Sequence, residues 1–232
     1  MGIRKTTIIE GEYYHFYNRG NSKQSIFIDD QDYDRFIKLL FLCNSKRPID
    51  FKKDVVDQKI DAWEFDRGEP LTSICAWVLM PNHFHLYIKT GETPIGIDGE
   101  NINGNGAIGF MQKMGTAYAK YFNTKYDRTG SLFEGRFKSK HILDDNQARY
   151  LFSYIHLNPV KLIQSDWKEN GIKNRNKAFG FVKNYKYSSL TDWLGSTRKE
   201  SLIINKGILS NILPENFSPD NDIFQWLSYN DE

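Results

Sequence analysis

The sequence predicts an α+β fold: a ferredoxin-like split βαβ unit, in which an antiparallel sheet carries helices on one face, followed by a helical C-terminal appendage. Three observations predict it. Segments of two-residue and of helical periodicity follow one another in the order strand, helix, strand, strand, helix, strand, helix. Turn signals stand between them, at Gly20-Asn21, Pro81-Asn82 and Asp127-Arg128-Thr129-Gly130. The chain of 232 residues, 40% apolar and 15% aromatic, has enough apolar surface for one core with additions.

The opening strand is Tyr13-Tyr14-His15-Phe16-Tyr17-Asn18-Arg19, rich in strand formers. Asp29 or Asp30 then offers an N-cap, and Tyr33, Phe36, Leu40 and Cys43 follow at helical spacing, predicting a helix over 31–44. Residues 45–71 are polar, broken by Pro48, Gly68 and Pro70, and read as an insertion. Thr72 to Met80 is a largely apolar run, hence a buried strand, and His83 to Lys89 returns from the turn as its neighbour. Thr90 to Asn105 is a Gly- and Asn-rich loop. Its Asn101-x-Asn103-x-Asn105-Gly106 start resembles a calcium loop, but carboxylates are missing and Gln112 stands where the bidentate Glu belongs, so that reading fails. Ile108, Met111, Gly115, Tyr118 and Phe122 predict an amphipathic helix over 107–126. Ser131 to Leu143 follows as a strand whose even positions Glu134, Arg136, Lys138 and Lys140 share one face. Asp144 or Asp145 caps a third helix with a core stripe of Ala148, Leu151, Phe152 and Ile155, which Pro159 ends or kinks. Residues 1–162 are expected to form the main domain, and 163–232 an appendage with an acidic tail.

Composition narrows the class. No apolar run reaches membrane-spanning length. Met1 to Thr6 is basic but leads into no apolar signal core, and its match to the short N-myristoylation pattern is taken as chance. Cys43 and Cys75 sit in apolar runs and read as small core residues in a reducing, cytoplasmic compartment, not as a disulfide framework or a zinc site. The formal net charge is only +2, yet Lys113 to Lys140 holds seven basic residues against two acidic, and Gly195 to Glu232 three against six. A local basic patch is therefore expected.

The chemistry centres on Met80-Pro81-Asn82-His83-Phe84-His85. Alternate residues of a strand share a face, so His83 and His85 point the same way, about 7 Å apart, and two imidazoles so placed can grip a divalent metal. A bare His-x-His is a weak signal. Tyr154 and Asn158, four apart on the third helix, share a helix face and could turn a phenol and an amide oxygen toward the same ion. Tyr150, Tyr118 and Tyr121 compete with Tyr154 for such a role.

Three separated motifs in the same order, Pro81-Asn82-His83-Phe84-His85, Gly130-Ser131-Leu132-Phe133-Glu134-Gly135-Arg136-Phe137-Lys138 and Tyr154-Ile155-His156-Leu157-Asn158-Pro159-Val160, resemble the HUH single-tyrosine transposases, and among them the REP-associated branch. Tyr14 to Gly20 is similar to that family's opening strand and Lys186-Tyr187-Ser188-Ser189 to its late aromatic-x-Ser-Ser element, so the resemblance spans residues 10–195. It implies that His83 and His85 bind Mg²⁺ or Mn²⁺, that Asn158 completes the shell, and that Tyr154 attacks DNA to form a 5′-phosphotyrosine. A phenol, with an ordinary pKa of about 10, is a poor nucleophile until deprotonated. The covalent bond conserves the energy for rejoining, so no ATP is needed. The expected substrate is single-stranded or hairpin DNA near palindromic repeats, gripped through Lys113, Lys120, Arg128, Arg136, Lys138 and Lys140. A nucleoid-associated location and a homodimer fit that family.

Three rivals stand beside this reading. A catalytically silent DNA-binding module would bind without forming an adduct. A replication initiator or relaxase of the same superfamily would be expected to carry a helicase part. A metal-dependent hydrolase would cut without protein–DNA linkage.

Overall fold

The computed structural model describes residues 7–91, 106–213 and 217–226. Four strands, β1 (Tyr13–Arg19), β2 (Thr72–Met80), β3 (His83–Thr90) and β4 (Lys138–Ile142), form one sheet in the order β2-β3-β1-β4. Every pairing is antiparallel. With α1 (Asp30–Leu42) between β1 and β2, and α2 (Gly106–Lys125) between β3 and β4, this is the split βαβ arrangement.

The two-residue alternation of β3 sorts its side chains. Phe84, Leu86 and Ile88 enter the core shared with Phe36 and Leu40 of α1 and Phe110, Met114 and Tyr118 of α2. Tyr87 enters a second core on the opposite face, against Leu151, Phe152 and Ile155 of α3 (Asp145–Leu157). His83 and His85 share the parity of Tyr87, so the face that receives α3 also carries both histidines. In β2 the register slips between Ile74 and Ala76, and Cys75 and Ala76 both join the second core, the mark of a β-bulge. Cys43 and Cys75 are buried and free.

The edge of β2 is covered by the chain beyond residue 162. Leu79 donates to the Tyr187 carbonyl, Ser189 to that of Trp77 and Asn205 to that of Ile74. The buried Ser189 hydroxyl also accepts from the Trp77 amide and lies 2.9 Å from His156 Nε2, tying α3 to the sheet. Further on, α4 (Pro219–Trp226) docks on α3 through an ion pair of Arg149 with the buried Asp222. The Gly- and Asn-rich segment before α2, the basic N-terminus and the last residues of the tail lie outside the described residues.

The expected strand over 131–143 is shorter, only Lys138–Ile142. Beyond Tyr17 the β1–β4 ladder is interrupted: the Asn18 side chain, not a backbone donor, binds the Gly135 carbonyl at 3.0 Å, backbone bonds resume from Glu134 to Arg19 and from Asn21 to Leu132, and Gly130 sits at φ +84°. Residues 131–137 form an irregular loop tied to the end of β1 by these bonds, so the four charges do not share one strand face. Glu134 and Lys138 line one groove and Arg136 another.

A buried carboxylate joins the two helices of the first layer. Asp29 caps α1 in a capping box with Asp32. Asp32, fully buried, also accepts from the Lys125 ammonium at 2.9 Å, the Tyr121 and Tyr126 hydroxyls at 3.1 and 2.8 Å, and the Ile28 amide at 2.8 Å. Burial raises the pKa of this carboxyl, but Lys125 and the other donors outweigh it and hold the group below the ordinary carboxylate range. Asp32→Ala leaves those donors unpaired, and we expect it to cost about 3 kcal/mol in urea unfolding at pH 7. Since the folded pKa lies below the unfolded value, this stability is present above pH of about 4 and is lost as pH falls through the folded value. The gap between wild type and variant should therefore close in acid.

Candidate active site

His83 and His85 project from β3 with ring centroids 5.0 Å apart. Tyr154, on the helix that covers this face, sets its ring 5.4 Å from that of His85, nearly perpendicular to it. Asn158 is buried, and its Oδ1 lies 3.3 Å from His83 Nε2. It keeps helical angles, φ −52° and ψ −39°, because Pro159 opens a 3₁₀ turn (Asn158–Leu162) instead of breaking the helix one residue earlier. The i, i+4 spacing of Tyr154 and Asn158 thus holds through the junction. His83, His85 and Tyr154 open on a cleft of about 620 Å³, walled also by Arg19, Lys23, Asn82, Glu134, Lys138 and Lys161, with Asn158 buried behind His83.

Sequence reasoning missed a third imidazole. His15 lies on β1, two residues from Tyr17, which pairs with His85 across the strands. Its Nε2 is 2.8 Å from His85 Nδ1, both rings buried. The signal was available in the alternation of Tyr13, His15 and Tyr17, which puts His15 on the face of the His-x-His pair once β1 and β3 are neighbours. Desolvation first, and then the positive charge of Lys140 and Lys168, pushes His15 down to about 3. His83 is lowered to about 4, chiefly by burial, and His85 well below its ordinary value by burial and its imidazole neighbours. All three rings are neutral at pH 7, as metal ligation requires.

Hydrogen bonding assigns their tautomers. Asn82 Nδ2 donates to the Lys23 carbonyl at 3.1 Å, which turns Asn82 Oδ1 toward His83 Nδ1 at 2.6 Å. The His83 proton therefore sits on Nδ1, and Nε2 offers a lone pair to the Asn158 amide. A lone pair meeting an amide oxygen is an arrangement that a cation resolves; without one, the amide rotates to present its NH₂. For His85, ligation through Nε2 needs Nδ1–H to have an acceptor, and His15 Nε2 supplies it. Two imidazoles and an amide oxygen thus fit a divalent ion with open positions. Among the described residues no group of three or more His, Cys, Asp or Glu side chains could hold a metal by itself. Asn82→Ala and His15→Phe should each weaken Mn²⁺ binding about 10- to 100-fold by calorimetry, since each removes a partner that fixes a ring.

The competing tyrosines have other partners. Tyr118 donates to the Ile26 carbonyl inside the first core, and Tyr121 to Asp32. Tyr150 stacks on Tyr154 from the outer side, half exposed. The Lys168 ammonium lies 4.2 Å from the centre of the Tyr154 ring, a cation–π contact that sequence reasoning also missed.

The expected basic residues divide. Lys138 and Lys140 pair with Tyr17 and His15 across β1–β4, so they stand on the histidine face. Arg136 is exposed in the neighbouring groove. Lys113 is spent elsewhere: its ammonium donates to the carbonyls of Ser45 and Arg47, pinning the 45–47 loop to α2. Arg128 lies over the Phe122 ring, and Lys120 is exposed on α2 away from the cleft lining. Arg19 forms a two-pronged pair with Glu134 at 2.6 and 2.7 Å.

No family model matches this sequence, and no curated protein does. Among solved structures, the chain is similar to a REP-associated tyrosine transposase bound to a REP hairpin. Identity is 16% and the TM-score 0.49, over 86% of this chain and 90% of that one. Among the described residues no helix is long and apolar enough to cross a membrane.

Proposed function

We propose that this protein is a metal-dependent DNA strand-transferase of the HUH single-tyrosine type, which nicks single-stranded DNA beside hairpins or palindromic repeats through Tyr154. One observation supports this above the others: within a single chain, a phenol from α3 meets two neutral imidazoles from β3 at the same cleft. In the proposed step Tyr154 Oη attacks the phosphorus. The Oη–P bond forms and the P–O3′ bond breaks, leaving a 5′-phosphotyrosine and a free 3′-OH. The phenol gives up a proton and the departing oxygen takes one, so the transfer is proton-neutral. Reversal by an incoming 3′-OH rejoins the strand.

His83, His85 and Asn158 would hold Mg²⁺ or Mn²⁺, and the bound ion would supply charge neutralisation and orientation at the phosphoryl oxygens. The remaining work belongs to the chain. His15 and Asn82 hold the imidazoles in register. Tyr150 and Lys168 fix the Tyr154 ring from its outer side. Lys138, Lys140 and Lys161 bring positive charge to the rim, where a phosphate backbone would run, while the charge of Arg19 is met by Glu134. The domain would comprise residues 1–162, with 163–232 as its appendage.

The test is a 3′-labelled hairpin with a single-stranded extension, whose label stays with the fragment that carries the 5′-phosphotyrosine, incubated with Mn²⁺ and resolved on a denaturing gel. A covalent adduct whose nucleotide maps to the Tyr154 peptide by mass spectrometry is expected. Binding without adduct would leave a DNA-binding module, and cleavage without linkage a hydrolase.

A further inference from the structure

A second groove, of about 430 Å³, lies on the other side of the 131–137 loop. Met111, Gln112 and Gly115 of α2 line it together with Phe133, Arg136 and Phe137. It shares a wall with the histidine cleft, because Asn18 lines both and its amide binds the Gly135 carbonyl at the loop between them.

Gly115 sits near the middle of a 20-residue helix, where glycine costs about 1 kcal/mol relative to alanine. A Cβ built there meets nothing within 4 Å, so the protein's own packing does not require a glycine. Gly135, across the groove, is equally open. The groove thus keeps space at two positions where a side chain would fit. Its lining pairs two phenyl rings and a thioether with a guanidinium and an exposed amide, and the Arg136 side chain has no ion-pair or hydrogen-bond partner among the described residues.

We propose that this groove receives one unstacked nucleobase of the single strand whose backbone crosses the histidine cleft. Phe133, Phe137 and Met111 offer apolar surface to the base faces. Gln112 and Arg136 carry donors for a base edge or the adjoining phosphate. An aliphatic ligand would leave those polar groups unused, whereas a nucleotide uses both kinds. The proposal rests on the single-stranded DNA reading above, but concerns binding and not cleavage.

The probe is a hairpin with an eight-adenine 5′ extension, in which each base in turn is replaced by an abasic residue. Affinity is read by anisotropy in the Tyr154→Phe background, so that no cutting intervenes. One position should lose about tenfold on removal of its base, the range of a single aromatic stack. Gly115→Leu, which fills the groove and favours the helix, should lose the same factor on intact DNA and become indifferent to that abasic site. Gly115→Ala, too small to fill it, should bind like wild type and melt no lower. The proposal is overturned if Gly115→Leu binds intact DNA as before, or if its abasic profile is unchanged. It is also overturned if Gly115→Leu alters only the sedimentation of the free protein, which would assign the groove to a second copy of the chain. Adduct formation by wild type with either result would leave the strand-transfer reading standing. The expected abasic pattern without any adduct would sink that reading and keep this one. Absence of single-stranded DNA binding would end both.

Discussion

Tyr154→Phe should abolish the covalent protein–DNA adduct, lowering its rate on the order of 10⁴-fold or more, while affinity for the same hairpin stays that of wild type. The substitution removes one hydroxyl and leaves the ring, so the contacts with His85, Tyr150 and Lys168 persist. Circular dichroism and melting temperature should therefore match wild type. Residual cutting with linkage would move the nucleophile to Tyr150, the nearest other phenol on the same helix face. Residual cutting without linkage would mean that water attacks.

His83→Ala and His85→Ala should each remove Mn²⁺ binding and slow adduct formation on the order of 10³-fold, the several kcal/mol of charge stabilisation a divalent ion supplies. The binding arm can be read without DNA. A ligand present at about 100 times its dissociation constant stabilises the native state by about 2.7 kcal/mol, so wild type should melt higher with Mn²⁺ and the variants should not. His83 is partly exposed to the cleft, so its variant should fold as wild type, whereas His85→Ala also orphans the buried His15 and should melt lower while still folding. If the variants keep the full Mn²⁺ shift, the ion binds elsewhere and the donor set proposed here is wrong.

Much of this arrangement was legible in the chain. Alternation in β3 separates Phe84, Leu86 and Ile88 from His83 and His85, but the expectation of helices on one face of the sheet missed that α3 covers the histidine face. Asp29 and Asp144 announce their helices by capping chemistry, and both do cap. Local patterns carry no information on which strands become neighbours, so the contact of His15 with His85, 70 residues apart, emerged only with the sheet order. The same limit hid Lys168, which reaches Tyr154 from an appendage without strong periodicity. The charged run around Glu134 misled because alternation in sequence resembles a strand even where Gly130 and Gly135 and a side-chain hydrogen bond interrupt the ladder. Lys113 misled for a different reason: a lysine's charge is visible in sequence, but the carbonyls that occupy it are not.

The most direct test of the central claim is an anomalous-scattering map from crystals soaked in Mn²⁺. One peak is expected, bonded to His83 Nε2, His85 Nε2 and Asn158 Oδ1, with the Tyr154 hydroxyl of the same chain facing its open side. A protein that forms the adduct with Mn²⁺ but shows its peak away from these three side chains would contradict the account.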